Sequence, residues 1–138
     1  MPLTIGIDIG GSTTKIVGLQ DGQMISPIRV RADDPVTSAY GAFGKFLDEN
    51  KLDIEHICQV MFTGVGSSFL QGDIYGIPSR KVDEFQAIGQ GGRFISGCDR
   101  AVVVSMGTGT AFVEVQGNAS RHLGRHWSGR RHPAGAVR

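Results

Sequence analysis

Gly6-Ile7-Asp8-Ile9-Gly10-Gly11-Ser12-Thr13-Thr14-Lys15 is the stretch on which the fold is decided. Leu3 to Asp8 alternates as a short buried strand, Gly10-Gly11 marks a turn, and Thr14 to Leu19 reads as a second strand. A hairpin this rich in glycine aims successive backbone N–H groups where phosphate oxygens can meet them. Ser12 and Thr13 add hydroxyl donors, and Lys15 adds a point charge. Asp8, at the strand end, offers a hard oxygen suited to Mg²⁺, directly or through water. Gly-Gly alone is an ordinary hairpin signal. The aspartate two residues before it and the Thr-Lys after it are what point to phosphate. No Gly-Lys-Ser/Thr opens a helix, so the stretch is not a Walker A loop.

Working outward, Asp21-Gly22 predicts a tight hairpin and Met24 to Arg31 a third strand, giving an antiparallel meander. The period then changes. Val36, Tyr40, Phe43 and Leu47 form the stripe of an amphipathic helix over Pro35 to Asn50, with Phe46 at or near the core. Ile57 to Phe62 reads as a buried strand ending at Thr63-Gly64, and a glycine-rich loop runs on to Pro78. Asp83 is a helix N-cap, with Gln86 completing a capping-box pattern. That second helix extends to about Gly97 and packs Ala87, Gly91 and Gly92 against a neighbour. Ala101 to Ser105 is a central strand running into Met106-Gly107-Thr108-Gly109-Thr110, Ala111 to Val115 is another, and Gly117-Asn118 turns the chain back. Strand, glycine turn, strand therefore occurs twice, which suggests two related lobes facing one ligand. The second turn repeats the device of the first: small residues for close approach and threonine hydroxyls as donors.

Bulk properties exclude several classes. A chain of 138 residues with 40% hydrophobic and 20% charged residues suits one soluble globular domain, not a disordered tract. The 21 glycines cluster without a three-residue period, which removes collagen. No apolar run approaches the roughly 20 residues of a membrane helix, and the N-terminus enters a strand with no signal-peptide core. Cys58 and Cys98 match no metal spacing and read as reduced, buried thiols of a cytoplasmic protein.

Asp-Ile-Gly-Gly-Ser-Thr-Thr-Lys (8 to 15) resembles the first phosphate motif of the actin/Hsp70/sugar-kinase superfamily. Val-Asp-Glu-Phe-Gln-Ala-Ile-Gly (82 to 89), with Ser-Met-Gly-Thr-Gly-Thr (105 to 110), resembles type II pantothenate kinases in particular. Order and spacing agree over about 120 residues, the front half of such an enzyme. The resemblance implies an α/β, ribonuclease-H-like lobe with a mixed sheet over 1–98, and the start of a truncated second lobe over 99–124. It implies ATP and Mg²⁺ as cofactors and pantothenate as the phosphorylated substrate at the first step of coenzyme A synthesis. Asp8, Gly10, Gly11, Ser12, Thr13 and Lys15 would handle phosphate, with Asp8 also the metal ligand, and Gly107, Thr108, Gly109 and Thr110 would serve opposite them. Glu84 matches the catalytic carboxylate, a base for the acceptor hydroxyl; as a plain helix residue it would favour the first turn through the dipole. Arg121 matches a substrate-facing basic residue, an equivalence that slips by one if His122 is the match; Arg121 also suits an ordinary surface charge. A homodimer is implied for the full-length form, with no nucleic-acid or membrane partner. Three alternatives stay open. They are an N-acetylhexosamine kinase, the ATPase that activates 2-hydroxyacyl-CoA dehydratases (against which the lack of a suitable cluster-binding cysteine counts), and a non-catalytic nucleotide-binding fragment.

The last 14 residues break the pattern. Residues 1–124 hold all 13 acidic residues against 10 basic ones, a net charge of −3, whereas 125–138 hold four Arg and no acid. The family continues here with a glycine-rich turn. Reading the tail one nucleotide later, with G or C at most wobble positions, yields Gly-Thr-Gly-Val-Gly-Gly-Gly-Thr, the missing motif. The expectation is a frameshifted tail over 125–138 and an inactive, poorly soluble product; a basic nucleic-acid-binding tail is the rival.

Overall fold

The computed structural model describes residues 2–31, 33–107 and 109–126. The expected frameshifted segment therefore lies outside the described residues from position 127 onward. The chain divides into two compact units, Met1–Val82 and a second beginning at Asp83.

The first unit is built on a five-stranded sheet. Strands β1 (Leu3–Ile9), β2 (Thr13–Gln20) and β3 (Gln23–Arg31) form the meander, joined at Asp21-Gly22, whose φ angles of 53° and 75° suit a two-residue hairpin turn. Strand β4 (Ile57–Thr63) then lies parallel to β1, and β5 (Ser79–Lys81) lies parallel to β4. The order is β3-β2-β1-β4-β5. This is the mixed α/β sheet that the sequence implies. A parallel neighbour needs a crossover, and helix α1 (Pro35–Asn50) supplies it.

Helix α1 begins where Asp34 accepts a hydrogen bond from the Thr37 N–H (2.7 Å), with Pro35 at the first helical position. It ends at Lys51 in the left-handed conformation, where Leu52 N–H reaches back to Leu47 O (2.9 Å). Its buried face is Ala39, Ala42, Phe43 and Phe46, one step round from the expected stripe; Tyr40 and Leu47 flank it, partly buried. The shift follows from what lies beneath. Gly18 of β2 has no side chain, and a Cβ there would stand 2.8 Å from Phe46 Cζ, so the Phe46 ring occupies the gap. Leu3, Ile5, Ile7 and Ile9 of β1, Ile16 of β2 and Val60 and Phe62 of β4 complete this core. Truncating one such phenylalanine to alanine costs about 3–5 kcal/mol.

Because β1 alternates buried and half-buried residues along its length, Asp8 points away from the core. Strand β5 is absent from the sequence reading. Its three residues, Ser-Arg-Lys, carry no apolar pattern, and backbone pairing with β4 defines it. The loop before it also buries Ile74 and Ile77.

The second unit is helix α2 (Glu84–Ser96) on a three-stranded antiparallel sheet, β6 (Arg100–Met106), β7 (Thr110–Gln116) and β8 (Ala119–His126). Asp83 caps α2, accepting from Phe85 N–H (3.0 Å) and Gln86 N–H (3.1 Å). The capping box is only half made: the Gln86 side chain donates instead to Asn118 O (3.1 Å). Gly89 and Gly92 set the helix–sheet approach, since a Cβ would come within 2.7 Å of Ser120 Cβ and 2.4 Å of Val103 Cγ2 respectively. Gly91, expected to pack, meets nothing within 4 Å, and Cys58 and Cys98, expected to be buried, are both exposed.

Candidate functional site

In the first unit the site grows from the end of β1. Gly10 N–H donates to Thr13 O (2.9 Å), which closes the turn at two residues, Gly11 and Ser12. A Cβ on Gly10 would lie 2.7 Å from that carbonyl, so the position admits glycine alone without a shift of backbone. Gly11 and Ser12 are exposed at the tip, and their amides make no backbone hydrogen bond among the described residues. Two adjacent N–H groups at an exposed tip are thus left without a backbone partner, an arrangement that suits an anion.

Behind the tip, Thr14 is fully buried and its hydroxyl shares a 2.8 Å hydrogen bond with Ser38 of α1. That contact ties the turn to the helix start and fixes its base. On the other face of β2, Lys15 is paired in register with Asp8, and its Nζ lies 3.4 Å from Asp8 Oδ2. Both side chains are about half exposed, at 50% and 44%. In such solvent an ion pair contributes little to stability, so stability alone does not account for the pairing.

The C-terminal end of β4 closes the site from the other side. Thr63 stands beside Asp8 in the parallel register, and its Oγ1 is buried without a hydrogen-bond partner among the described residues. Next to it Gly64 has φ +99°, and a Cβ there would sit 2.6 Å from Asp8 Oδ1 and 2.4 Å from Ile9 O. Glycine keeps open the space beside the carboxylate. An orphaned hydroxyl, a free carboxylate oxygen and a cradle that a Cβ would fill fit a hydrated cation held by Asp8. The sequence reading marks Thr63-Gly64 only as a strand end; the proximity of β4 to β1 is what gives the pair its place.

In the second unit, Gly107 N–H donates to Gly109 O (2.8 Å), and Gly107 and Gly109 are exposed between β6 and β7. Thr110 begins β7, and Thr108 lies outside the described residues. Glu84 occupies the first position of α2, half-buried, with no ion pair among the described residues. Arg121 is bound to Glu114 across the β7–β8 pair, its Nε 3.1 Å from Oε1. It occupies the face opposite α2. Its neighbour His122 faces the helix instead, stacked on Phe85 with ring centroids 3.9 Å apart and planes 12° from parallel. His122 Nε2 is buried with no partner among the described residues. The second unit therefore brings His122, not Arg121, alongside the first turn of α2 that carries Glu84.

Comparison with solved structures shows that the chain shares its fold with part of proteins of the actin-like ATPase fold. The activator of the 2-hydroxyisocaproyl-CoA dehydratase from Clostridium difficile, solved with bound ADPNP, matches 90% of this chain at 21% identity and a TM-score of 0.73. Component A of the (R)-2-hydroxyglutaryl-CoA dehydratase of Acidaminococcus fermentans matches 91% at 19% identity and TM-score 0.71. A ROK family glucokinase from Streptomyces griseus, in complex with glucose and AMPPNP, matches 89% at 17% identity and TM-score 0.60. The chain spans less than half of each of these proteins, 44%, 46% and 47% of their lengths. No protein-family model matches it, nor does any curated protein sequence. No helix among the described residues is long and apolar enough to cross a membrane.

Proposed function

We propose that this chain carries the phosphate-handling part of an ATP-dependent phosphotransferase whose acceptor is pantothenate. The observation that carries the reading is the closed Gly10–Thr13 turn, with two exposed residues whose amides lack a backbone partner and the Asp8–Lys15 pair at its base. Three of the solved structures above share the fold, and two of those were solved with an ATP analogue bound. The acceptor rests on the resemblance of residues 82–89 and 105–110 to type II pantothenate kinases.

In this reading the Gly11 and Ser12 amides and the Ser12 and Thr13 hydroxyls receive phosphate oxygens, and Lys15 offsets their charge. Asp8 would hold Mg²⁺, which neutralises phosphate charge when bound. Gly107, Gly109 and Thr110 of the second turn, together with Thr108, take phosphate oxygens as well. Glu84 accepts the proton of the attacking primary hydroxyl, a role worth about 10²–10⁴ in rate. On the substrate side we favour His122, which faces α2, over Arg121, which Glu114 already holds. The working protein would be cytoplasmic and a homodimer.

A second reading is an ATPase that energises another enzyme, favoured by the higher TM-scores of the two dehydratase proteins, 0.73 and 0.71 against 0.60 for the glucokinase. Coupled ADP-release assays on the purified protein separate the two, with pantothenate, N-acetylhexosamines and no acceptor in parallel. Pantothenate-dependent release that disappears in Glu84→Gln, with nucleotide binding intact, supports the kinase. Release without any acceptor supports the second reading. A protein that binds no nucleotide refutes both.

A further inference from the structure

Strand β3 places two arginines beside the phosphate turn. The β2–β3 register pairs Lys15 with Arg29 and Thr13 with Arg31. Directly paired residues share a face, so all four stand opposite α1. Ser12, Thr13, Arg29, Val30 and Arg31 line a groove of about 460 Å³. Arg29 and Arg31 are exposed and make no ion pair with any described residue. The acidic groups near them are Asp8, already engaged by Lys15, the exposed Asp33, which makes no ion pair among the described residues, and Asp34, engaged as the cap of α1. None of these carboxylates lines the groove, whose described lining carries two arginines and no acid.

Its lining also says what it does not hold. Among the described residues that line it there is no aromatic ring, and Val30, the one apolar residue, packs partly against the core, so these residues offer no platform on which a base could stack. Two guanidinium forks and two hydroxyls are donors suited to the oxygens of an anion. Arg29 and Arg31 lie two residues apart on one strand, roughly 7 Å along it. Their long side chains can converge from that separation on neighbouring phosphoryl groups.

We infer that this groove is an anion subsite that binds the diphosphate portion of a ligand. It deepens the phosphotransferase reading, because Ser12 and Thr13 belong to both, but it rests on Arg29 and Arg31, which that reading leaves unused.

The test is calorimetric titration of the whole chain with pyrophosphate at fixed ionic strength, beside inorganic phosphate, sulfate and duplex DNA. Pyrophosphate should bind at least tenfold tighter than phosphate or sulfate. Arg29→Gln and Arg31→Gln should each weaken it about tenfold, as loss of a charge-assisted contact does, and the double variant should abolish it. Arg80→Gln, an exposed arginine on β5, should leave it unchanged; circular dichroism verifies that each variant is folded. The inference is overturned if the wild-type chain does not bind pyrophosphate, or if the two β3 variants bind it as wild type does. It also fails if pyrophosphate, sulfate and DNA weaken in parallel with added salt, the behaviour of a general basic surface. Arginine-dependent pyrophosphate binding in a protein that binds no ADP leaves this inference standing and removes the phosphotransferase reading. ADP binding alongside arginine-independent pyrophosphate binding removes this inference alone.

Discussion

Gly64→Ala tests whether the end of β4 is built to hold the Asp8 carboxylate open. Two costs act at this position. The backbone at φ +99° and ψ 164° lies in a region that only glycine occupies without strain, and forcing another residue there costs about 1–3 kcal/mol. The new Cβ would also meet Ile9 O at 2.4 Å and Asp8 Oδ1 at 2.6 Å. The first of these is backbone of a central strand and does not yield, so an overpacking cost of about 1–3 kcal/mol adds to the strain. Together these give about 2–6 kcal/mol, a large share of the roughly 5–15 kcal/mol that holds a domain of this size. With a urea slope of about 1–3 kcal/mol per molar, the midpoint should fall by at least about 0.7 M. The assay is equilibrium urea unfolding of the full chain, followed by far-ultraviolet circular dichroism and by Tyr fluorescence. Nucleotide binding should weaken as well, because the displaced carboxylate is the proposed metal ligand. A variant whose midpoint and slope match the wild type would refute the reasoning, since neither the strain nor the contact could then be real.

Gly41→Ala is the counterpart: Gly41 is exposed within α1 and a Cβ there meets nothing within 4 Å, so the change should stabilise by about 0.5–1 kcal/mol through helix propensity. Lys15→Met should leave the melting temperature nearly unchanged, because the half-exposed pair with Asp8 contributes about 0–1 kcal/mol, yet should weaken ADP binding at least tenfold; unaltered binding would remove Lys15 from the phosphate site. The Thr37 hydroxyl, and after it the Thr37 amide, holds Asp34 below the ordinary carboxylate value of 3.8. A depressed folded value gives stability that is fully present above 3.8 and lost as pH falls through the lower folded value. The difference in melting temperature between wild type and Asp34→Ala should accordingly be constant near neutrality and shrink in strong acid; a difference that grows on acidification would contradict the cap.

What could be read from the sequence was local. The first turn, the bounds of α1, the Asp21-Gly22 hairpin and the Asp83 cap each depend on a few adjacent residues, and those residues carry the physical cause within themselves. Gly10 is the borderline case. Its position suggested a turn, but the reason for it is the Thr13 carbonyl 2.7 Å from where a Cβ would stand. The features that escaped depend on which strand lies beside which. Strand β5 has no pattern of its own, and Gln86 has a partner 32 positions away that outcompetes its own helix cap. The Arg121–His122 pair is the sharpest instance. Adjacent strand residues face opposite ways, so a one-residue change of register exchanges them. The pairing of Glu114 with Arg121 and of Val113 with His122 sends the arginine to one face and the imidazole to the other. No count of residues from a motif could decide between them, because the decision is made by β7. Arg29 and Arg31 follow the same logic. On β3 alone they are two alternating charges at a strand end, a common way to solvate an edge; only the β2 register, which sets them against Lys15 and Thr13, turns them into part of a site.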